Sequence, residues 1–366
     1  MRGFQIITSY NIALLLYSIV NSSHALSAAN WIRTAEISRS DDGTQTDSIV
    51  LNQYPVSPDL ASSRSWLEHW EEKHRQEGSY TVLRCDISGG ISKIWGLDFH
   101  LDRLQKSFEV LQTVECQESW IIRVHNAREK SEGIVKALVK SFIEQIDEGY
   151  CGILMVALLW TPICAQGNGD GTTIETKVQG HGAEIQISRP GAIDATIALE
   201  NSAKNNLPRR YDQRPASKLS GWCSRRRPIE TIFKTEGIGE VFLTRTDGIN
   251  MDVEILEGLT SNLFVIMDDG TLRSAPNDVV LGGYVRSLIL SGLADMCGLK
   301  LDLQAPTLSD LKMGRWRGAF ITSSIRLFVP VERIFTRGSD ESDLVELWSS
   351  QDDCSSIIEK LRSLTQ

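Results

Sequence analysis

One short segment of the chain places an acidic residue, a glycine, two hydroxyls and an amide directly ahead of an apolar run. It reads Glu257-Gly258-Leu259-Thr260-Ser261-Asn262, and the apolar run covers residues 263–267. A carboxylate at the mouth of a buried strand can accept a proton from one part of a ligand, while hydroxyl and backbone N–H groups bind an anionic part. This pattern suits a ligand with a basic ring nitrogen and a phosphate.

A glycine pair precedes a second apolar stretch. The residues are Leu281-Gly282-Gly283-Tyr284-Val285-Arg286, and the stretch continues to Ala294. The pattern predicts a glycine turn followed by a helix, whose N-terminus offers unpaired N–H groups and the positive end of its dipole to a phosphate. Most glycine pairs are merely turns. The weight of this motif therefore comes from its order and spacing relative to others.

Four further segments accompany these two along the chain. They are Gly78-Ser79-Tyr80, residues 99–104, Ser217-Lys218-Leu219-Ser220, and Phe320-Ile321-Thr322-Ser323-Ser324. In this order the motifs resemble the fold-type IV pyridoxal-phosphate enzymes, a family that includes branched-chain aminotransferases, D-amino acid aminotransferases and aminodeoxychorismate lyases. The resemblance extends from about Glu77 to Ile334. It looks closest to plant and algal branched-chain-aminotransferase-like proteins, in which basic residues follow the lysine segment, as in residues 217–227 here.

The resemblance implies a role for each matching residue. Lys218 would form the Schiff base with pyridoxal 5'-phosphate and carry the proton between the substrate α-carbon and the cofactor. Glu257 would pair with the protonated pyridine nitrogen, which keeps the ring an electron sink. Arg103 would bind the cofactor phosphate, and Tyr80 would lie near the Schiff base. Glu240 matches an acidic position behind the cofactor.

The remaining cofactor contacts are expected from hydroxyl, amide and backbone groups. These belong to Ser261, Asn262, Gly283, Tyr284, Val285, Ser323 and Ser324. Because Lys218 and Glu257 fall in the second expected domain and Arg103 falls in the first, the cofactor is expected in the cleft between them. The resemblance also implies a homodimer.

Each assignment has a structural alternative. Arg103 could be a charge on the polar side of an amphipathic helix, because Leu97, Leu101, Leu104, Phe108 and Leu111 form an apolar face at helical spacing. Glu257 could decorate a turn, Tyr80 could pack in the core, and His100 is expected to be structural. Lys204 and Lys234 match the motif order less well than Lys218 and are expected to be surface residues.

The chain also departs from the family pattern. Where many relatives have Gly-Ile-Thr-Arg, it has Gly283-Tyr284-Val285-Arg286, so one hydroxyl that could reach the phosphate is missing. The Arg-x-His pair with which D-amino acid aminotransferases hold a substrate carboxylate has no counterpart in the strand over residues 152–160. These departures do not identify the substrate, and branched-chain and D-amino acids are favoured.

The expected activity is therefore that of an aminotransferase, acting on an amino acid and a 2-oxo acid. An aminodeoxychorismate lyase is the first alternative, since it would use the same lysine and glutamate to eliminate pyruvate. A non-catalytic binding or scaffolding relative is the second. Loss of the lysine or the glutamate would mark such a relative, and the chain retains both.

Composition favours a soluble enzyme that acts on small molecules. The chain has 366 residues, of which 41% are hydrophobic and 23% are charged, enough for one large core or two. A net charge of −9 argues against a nucleic-acid partner, because phosphate backbones bind clustered Lys and Arg. The basic cluster over residues 225–227 is expected to be a solvated helix face. No metal site and, in the mature form, no membrane association is expected.

The first 29 residues are typical of a targeting leader. They contain Arg2, no acidic residue, an apolar stretch over 12–20 and a small-residue exit at Ser23-His24-Ala25. Seven cysteines without a CxxC motif fit a reducing compartment better than the extracellular space. We therefore expect a plastid location, with a mitochondrial location or the secretory pathway as alternatives.

The elements that must position these residues suggest two α+β domains. After a flexible extension over residues 30–76, which ends in a short charged helix at 66–76, a smaller α+β domain is expected over 77–165. It would contain strands at Tyr80–Cys85 and Trp120–His125 and a helix at Ser131–Ile146. The glycine-rich residues from Gln166 predict an interdomain linker over 166–182. A larger, β-barrel-like cofactor domain would occupy 183–366.

Overall fold

A computed structural model describes twelve stretches of the chain. They are residues 31–39, 50–55, 77–111, 118–146, 150–164, 172–184, 192–199, 217–235, 237–246, 252–337, 343–350 and 355–365. The contacts divide these residues into two compact units. Unit 1 contains those up to 184 together with Ser217–Ser224, and unit 2 contains residues 192–199 and those from Arg225 onward. The expected leader and the charged helix at 66–76 lie outside the described residues.

Unit 1 is an antiparallel sheet with two helices. Its strands are β1 (Trp31–Arg39), β2 (Val50–Pro55), β3 (Ser79–Ser88), β4 (Ile91–Ile94), β5 (Cys151–Cys164) and β6 (Thr172–Glu184), and its helices are α1 (Leu97–Val110) and α2 (Glu118–Gln145). The strand order is β2-β1-β6-β5-β3-β4, with every neighbouring pair antiparallel. Apolar side chains of β3, β5 and β6 pack with the apolar faces of α1 and α2 in one core, which contains Leu83, Phe108, Phe142 and Trp160.

Three expectations about this half of the chain are wrong. The segment expected as an interdomain linker contains most of β6, which pairs with β5 over its whole length and with β1. Residues 31–39 and 50–55, expected within a flexible extension, are strands of the same sheet. Trp120–His125 is part of α2 rather than a strand. Within this segment Val124 belongs to the buried helical face that continues through Ala127 and Ser131.

Unit 2 is built on a nine-stranded sheet. Its strands are β7 (Ile193–Ala198), β8 (Ile238–Thr246), β9 (Val253–Gly258), β10 (Asn262–Met267), β11 (Thr271–Arg273), β12 (Lys300–Asp302), β13 (Trp316–Ser323), β14 (Leu327–Arg337) and β15 (Leu344–Ser349). The later helices are α3 (Gly221–Arg225), α4 (Arg227–Phe233), α5 (Tyr284–Leu288), the π-helical turn Ile289–Leu293, α6 (Ala294–Met296), α7 (Leu308–Lys312) and α8 (Ser355–Thr365). Most of α3 groups with unit 1.

Six of these strands close into a barrel. They follow one another in the order β10-β13-β14-β7-β8-β9, and β9 returns to β10 through the pair Glu257↔Asn262. Alternate side chains of β10 enter two different cores, as expected for a strand covered on both faces. Leu263 packs with Trp316 on one face, and Phe264 packs with Phe320 and residues of α5 and α8 on the other. The barrel-like cofactor domain predicted from the sequence is confirmed in this respect.

The described helices include none that is both long enough and apolar enough to cross a membrane. The longest of them, α2, has 28 residues and carries charged side chains along its length.

Candidate functional site

The Lys218 segment is attached to the sheet of unit 1. The backbone N–H of Tyr80 donates to the Lys218 carbonyl at 3.0 Å, and Ser220 N–H donates to the Gly78 carbonyl at 2.8 Å. The Lys218 N–H donates to Ser107 Oγ on α1 at 3.0 Å. Its Nζ lies 4.9 Å from the centroid of the Tyr80 ring, within the range of a cation–π contact. The backbone at Lys218 is therefore fixed from two sides, and its amine faces an aromatic ring.

This attachment differs from the domain expected for Lys218. The sequence interpretation assigns it to the second domain, whereas its contacts group Ser217–Ser224 with unit 1. The reason is a single isolated bridge beside β3, in which Leu219 pairs with Ser79. Such a short bridge has no hydrophobic periodicity of its own, so sequence patterns do not reveal it.

Arg103 is buried on the inner face of α1, only 8% exposed, rather than on its polar side. Its Nη2 donates to Thr81 Oγ1 at 2.8 Å and to His100 Nδ1 at 3.1 Å. Thr81 Oγ1 also lies 2.8 Å from His100 Nδ1. The three side chains form one buried polar group between α1 and β3. The interpretation of Arg103 as a solvated charge is therefore wrong.

His100 is held as a neutral imidazole. Burial, reinforced by the charges of Arg103 and Lys218, lowers the pKa of His100 well below its ordinary value. Because Nδ1 accepts a hydrogen bond from Arg103, the hydrogen-bond network assigns the ring proton to Nε2. A neutral acceptor can hold the guanidinium without cancelling its charge.

In unit 2, Glu257 is 1% exposed and lies at the pair that closes the barrel. Its Oε2 accepts from the backbone N–H of Leu281 at 3.1 Å and from Asn262 Nδ2 at 3.3 Å. Asn262 Nδ2 also donates to the Leu281 carbonyl at 2.7 Å. One side chain thus ties the carboxylate to the loop ahead of α5. The alternative that Glu257 decorates an exposed turn is wrong.

Two glycines are required by close approach around this carboxylate. A Cβ on Gly283 would overlap Asn262 Oδ1, and a Cβ on Gly258 would overlap Ser261 Oγ and the Glu240 carboxyl group. Gly283 precedes α5 with an extended backbone, at φ −79°. Its role is therefore to make space for Asn262 rather than to supply an unusual dihedral angle.

Ser261 contacts Glu240, the acidic residue predicted to lie behind the cofactor. Glu240 is 2% exposed, and its Oε2 accepts from Ser261 Oγ at 2.7 Å and from Thr260 Oγ1 at 3.1 Å. Arg326 Nη2 donates to the same oxygen at 2.8 Å. Burial opposes ionisation, but Arg326, Lys234 and these hydrogen bonds lower the pKa of Glu240 overall. Glu240 is accordingly a buried carboxylate with fixed partners.

Two basic residues near Glu240 are less exposed than expected. Lys234, expected at the surface, is half-buried, and its pKa is lowered by burial against the opposing charges of Glu240 and Glu230. Arg226, in the basic cluster expected to be solvated, is buried and lies 3.3 Å from Glu230. A basic run can therefore contain one inward-facing charge that its composition does not reveal.

Apart from Arg103 in unit 1, the residues predicted to bind a phosphate lie on two neighbouring segments of unit 2. Tyr284 and Val285 begin α5, directly after Gly283. Ser323 ends β13, and Ser324 begins the turn into β14. Thr322, just ahead of them, pairs with Asn262 across the sheet. Asn262, the partner of Glu257, and the hydroxyl turn are thus adjacent in the sheet.

Arg286, also in this motif, is directed elsewhere. Its side chain is 1% exposed and donates to Ser274 Oγ, the Ala275 carbonyl and Asn277 Oδ1. Burial lowers the pKa of Arg286 to about 10, partly offset by the charge of Glu257. We infer a structural role, holding α5 against the loop that follows β11.

Sequence reasoning missed Arg326, Thr81 and Ser107. Arg326 was detectable, because it follows the hydroxyl motif by two residues and is the first charged residue after it. Thr81 and Ser107 carry no signal beyond their proximity to Tyr80 and Arg103. The described residues contain no group of three or more side chains suited to a metal ion.

The structure is similar to solved aminotransferases over most of its length. The branched-chain aminotransferase of Thermoproteus uzoniensis, solved with norvaline, is 15% identical, with a TM-score of 0.58 over 92% of this chain and 95% of that chain. That of Thermobaculum terrenum, in its PLP-form, is 13% identical, with a TM-score of 0.55 over 86% and 90%. The Escherichia coli enzyme is 16% identical, with a TM-score of 0.55 over 85% and 90%.

No protein-family model matches the sequence, and no curated protein does. The structural similarity nevertheless confirms the fold predicted from the sequence, the two-domain fold-type IV architecture of these aminotransferases.

Proposed function

We propose that this chain, which has the fold of the branched-chain aminotransferases, is a pyridoxal-phosphate-dependent aminotransferase. It would move an amino group between an amino acid and a 2-oxo acid. The observation that carries the proposal is the setting of Glu257, a buried carboxylate held by two N–H donors at the seam of the barrel. A fixed buried carboxylate is the partner that a protonated pyridine nitrogen requires.

The other predicted residues fit the same cofactor. Lys218 supplies an amine whose backbone is fixed by β3 and α1. Arg103 keeps its positive charge beside a neutral histidine and suits a phosphate. Pyridoxal phosphate, when bound, supplies an electron sink for the electrons of the substrate α-carbon bond.

Each residue then has a limited task. Lys218 would hold the cofactor and would move a proton to or from the substrate α-carbon. Glu257 would hold a proton at the ring nitrogen, and Asn262 would keep its carboxylate in place through their hydrogen bond. Tyr80 packs against the lysine side chain and restricts the directions its amine can take.

For the substrate, we propose branched-chain or D-amino acids with a 2-oxo acid as the acceptor. Names of the structural neighbours support the branched-chain choice, and the missing Arg-x-His pair argues against the carboxylate binding of D-amino acid aminotransferases. We also propose a homodimer, for which sedimentation of the purified protein at twice the chain mass of 40.8 kDa is the check. Sedimentation at the monomer mass would contradict it.

The test begins with Lys218→Ala. The protein is purified with pyridoxal phosphate, reduced with borohydride and mapped by proteolysis. In the wild type the peptide containing Lys218 should carry the cofactor-derived label, and the variant should lose both the label and the visible absorbance at about 410–420 nm. A matched Lys234→Ala variant should keep the label. Circular dichroism should show that both variants remain folded.

A panel of L- and D-amino acids added to the wild type then defines the substrate. Bleaching of the visible band by particular amino acids would support transamination and name the class. Formation of 4-aminobenzoate without an added 2-oxo acid would establish the lyase instead. Label on another lysine would refute the role of Lys218, and failure to take up any pyridoxal phosphate would refute the proposed function.

A further inference from the structure

Arg326 occupies the turn between β13 and β14, two residues beyond Ser324. Its N–H donates to Ser323 Oγ at 3.0 Å, which fixes the turn. The next residue, Leu327, has φ 57°, and it is the one described non-glycine residue with a positive φ. A bulky side chain in the left-handed region is strained, and such strain concentrates at binding and catalytic sites. The Arg326 side chain beside this turn is only 9% exposed.

Only part of the Arg326 guanidinium is used within the described protein. Nη2 donates to Glu240 Oε2 at 2.8 Å and approaches Thr260 Oγ1 at 3.4 Å. Nε and Nη1 are buried and have no hydrogen-bond partner among the described residues. These two nitrogens carry three of the five N–H donors of an arginine. Buried donors of a charged group are costly to leave unsatisfied, so a bound anion would stabilise this arrangement.

Glu240 has other hydrogen-bond partners and is not the partner of the whole Arg326 guanidinium. Its carboxylate already accepts from Ser261 Oγ, from Thr260 Oγ1 and from the backbone N–H of Val241 at 3.2 Å. Lys234 also lies within electrostatic range of Glu240, and its charge adds to that of Arg326 in lowering the pKa of Glu240. Glu240 therefore has several partners of its own, and it leaves Nε and Nη1 of Arg326 unused.

The cluster is continuous with the residues assigned to the proposed reaction. Arg326 shares its turn with Ser323 and Ser324, and Thr322 pairs with Asn262, the partner of Glu257. An anion bound at the free side of Arg326 would therefore lie near groups that hold the reacting molecule. Among the substrates of an aminotransferase, the anionic group common to amino acids and 2-oxo acids is the α-carboxylate.

We propose that Arg326 binds the α-carboxylate of the amino-acid and 2-oxo-acid substrates and that Glu240 holds the guanidinium in position. This inference rests on the proposed function and adds to it the residue that anchors the substrate. Arg326 donates hydrogen bonds through Nε and Nη1, while Nη2 remains on Glu240. The cofactor phosphate is the other source of an oxyanion with suitable chemistry, and the experiment separates the two.

The experiment compares Arg326→Gln with Arg333→Gln, an exposed arginine on β14. The probes are 4-methylpentanoate, which is the leucine skeleton without the amino group, and its neutral amide. Binding to the cofactor-loaded protein is measured by calorimetry. Loss of a charge-assisted contact should weaken binding of the acid at least about tenfold in Arg326→Gln and leave the amide unchanged. Arg333→Gln should bind both probes as the wild type does.

Cofactor titration of the apo proteins forms the second arm. Pyridoxal phosphate and unphosphorylated pyridoxal should each bind Arg326→Gln within about twofold of the wild type. Selective weakening of pyridoxal phosphate would overturn the proposal and assign Arg326 to the phosphate. Unchanged affinity for the acid in Arg326→Gln, or equal affinity of the wild type for acid and amide, would overturn it as well.

A wild-type measurement covers the case in which Arg326→Gln does not fold. Phenylglyoxal modifies arginine side chains, and peptide mapping locates the modified residue. 4-Methylpentanoate should protect Arg326 in the cofactor-loaded wild type, whereas the amide should not. Equal protection by both would overturn the proposal. A wild type that takes up no cofactor would refute the proposed function. An active enzyme whose Arg326 is not protected by 4-methylpentanoate would overturn only the role of Arg326.

Discussion

At the scale of single residues, two largely buried arginines of unit 2 use their guanidinium groups differently. Arg326 donates to Glu240 through one nitrogen, and its Nε and Nη1 have no hydrogen-bond partner among the described residues. Both terminal nitrogens of Arg286 donate to fixed acceptors of its own unit. The first arrangement suits binding, and the second suits structure.

Acidification should destabilise the protein through His100. The pKa of His100 is lowered in the folded state, whereas the unfolded chain has the ordinary value of about 6.5. Between the two values the unfolded state binds more protons. The contribution of His100 to the free energy of unfolding is therefore constant above about pH 6.5 and falls below it, by up to about 1.4 kcal/mol per pH unit.

Urea unfolding between about pH 7.5 and pH 5 measures this dependence. His100→Asn, whose side-chain oxygen can replace Nδ1 as the acceptor, should remove most of the slope. His125→Gln changes an exposed histidine on α2 and should retain it. An unchanged slope in His100→Asn would show that another group is responsible.

At the scale of elements, sequence patterns predict those strands and helices whose apolar residues recur at regular spacing. The apolar run after Asn262 became β10, and the helical spacing through Leu101, Leu104 and Phe108 became the buried face of α1. Sequence patterns failed where pairing between distant strands determines the structure. Residues 166–182 begin with a glycine-rich sequence that resembles a linker. From Thr172 onward, however, they form β6, which is hydrogen-bonded to strands distant in sequence. Local propensity cannot report such long-range pairing.

The site follows the same division. Glu257, Asn262 and Gly283 were predicted as site residues because they stand in ordered motifs, and in the structure Asn262 contacts Glu257 and lies close to Gly283. Arg326 was missed although it follows the hydroxyl motif by two residues, because the sequence does not show that its side chain is buried. A basic residue beside a hydroxyl motif is ordinarily a solvated one.

The close packing of Gly283 against Asn262 provides a test at this scale. In Gly283→Ala the added methyl group would displace Asn262, so the free energy of unfolding should fall by about 1–3 kcal/mol. The neighbouring Gly282 has open space around its Cβ position, and Gly282→Ala should change stability by less than about 1 kcal/mol. Denaturant titration of both variants gives the comparison. Equal stabilities would mean that the loop relaxes and that Asn262 is not held as described.

At the scale of the whole molecule, the chain passes between its two units more than once. Residues 192–199 belong to unit 2, Ser217–Ser224 return to unit 1, and the chain from Arg225 belongs to unit 2 again. The backbone position of the proposed catalytic lysine therefore depends on residues of unit 1 that are distant from it in sequence. Gly78, Tyr80 and Ser107 hold the backbone around Lys218 in place.

Hydrogen exchange can test this dependence with a matched pair of core variants. Phe142 lies in the core of unit 1 and Phe320 in a core of unit 2, each nearly fully buried and next to an aromatic ring. Replacing either with alanine should destabilise its own unit by about 3–5 kcal/mol. Phe142→Ala should then accelerate exchange of the Tyr80 and Ser220 amides, which hydrogen-bond across the junction with the lysine segment.

Phe320→Ala should instead accelerate exchange in β10 and β13 and leave those two amides protected. This contrast follows because local opening tracks the unit whose core is weakened, and the lysine segment has its backbone partners in unit 1. Faster exchange of Tyr80 and Ser220 in Phe320→Ala alone would show that the segment depends on unit 2. In that case the short bridge between Ser79 and Leu219 would not be what holds the lysine in place.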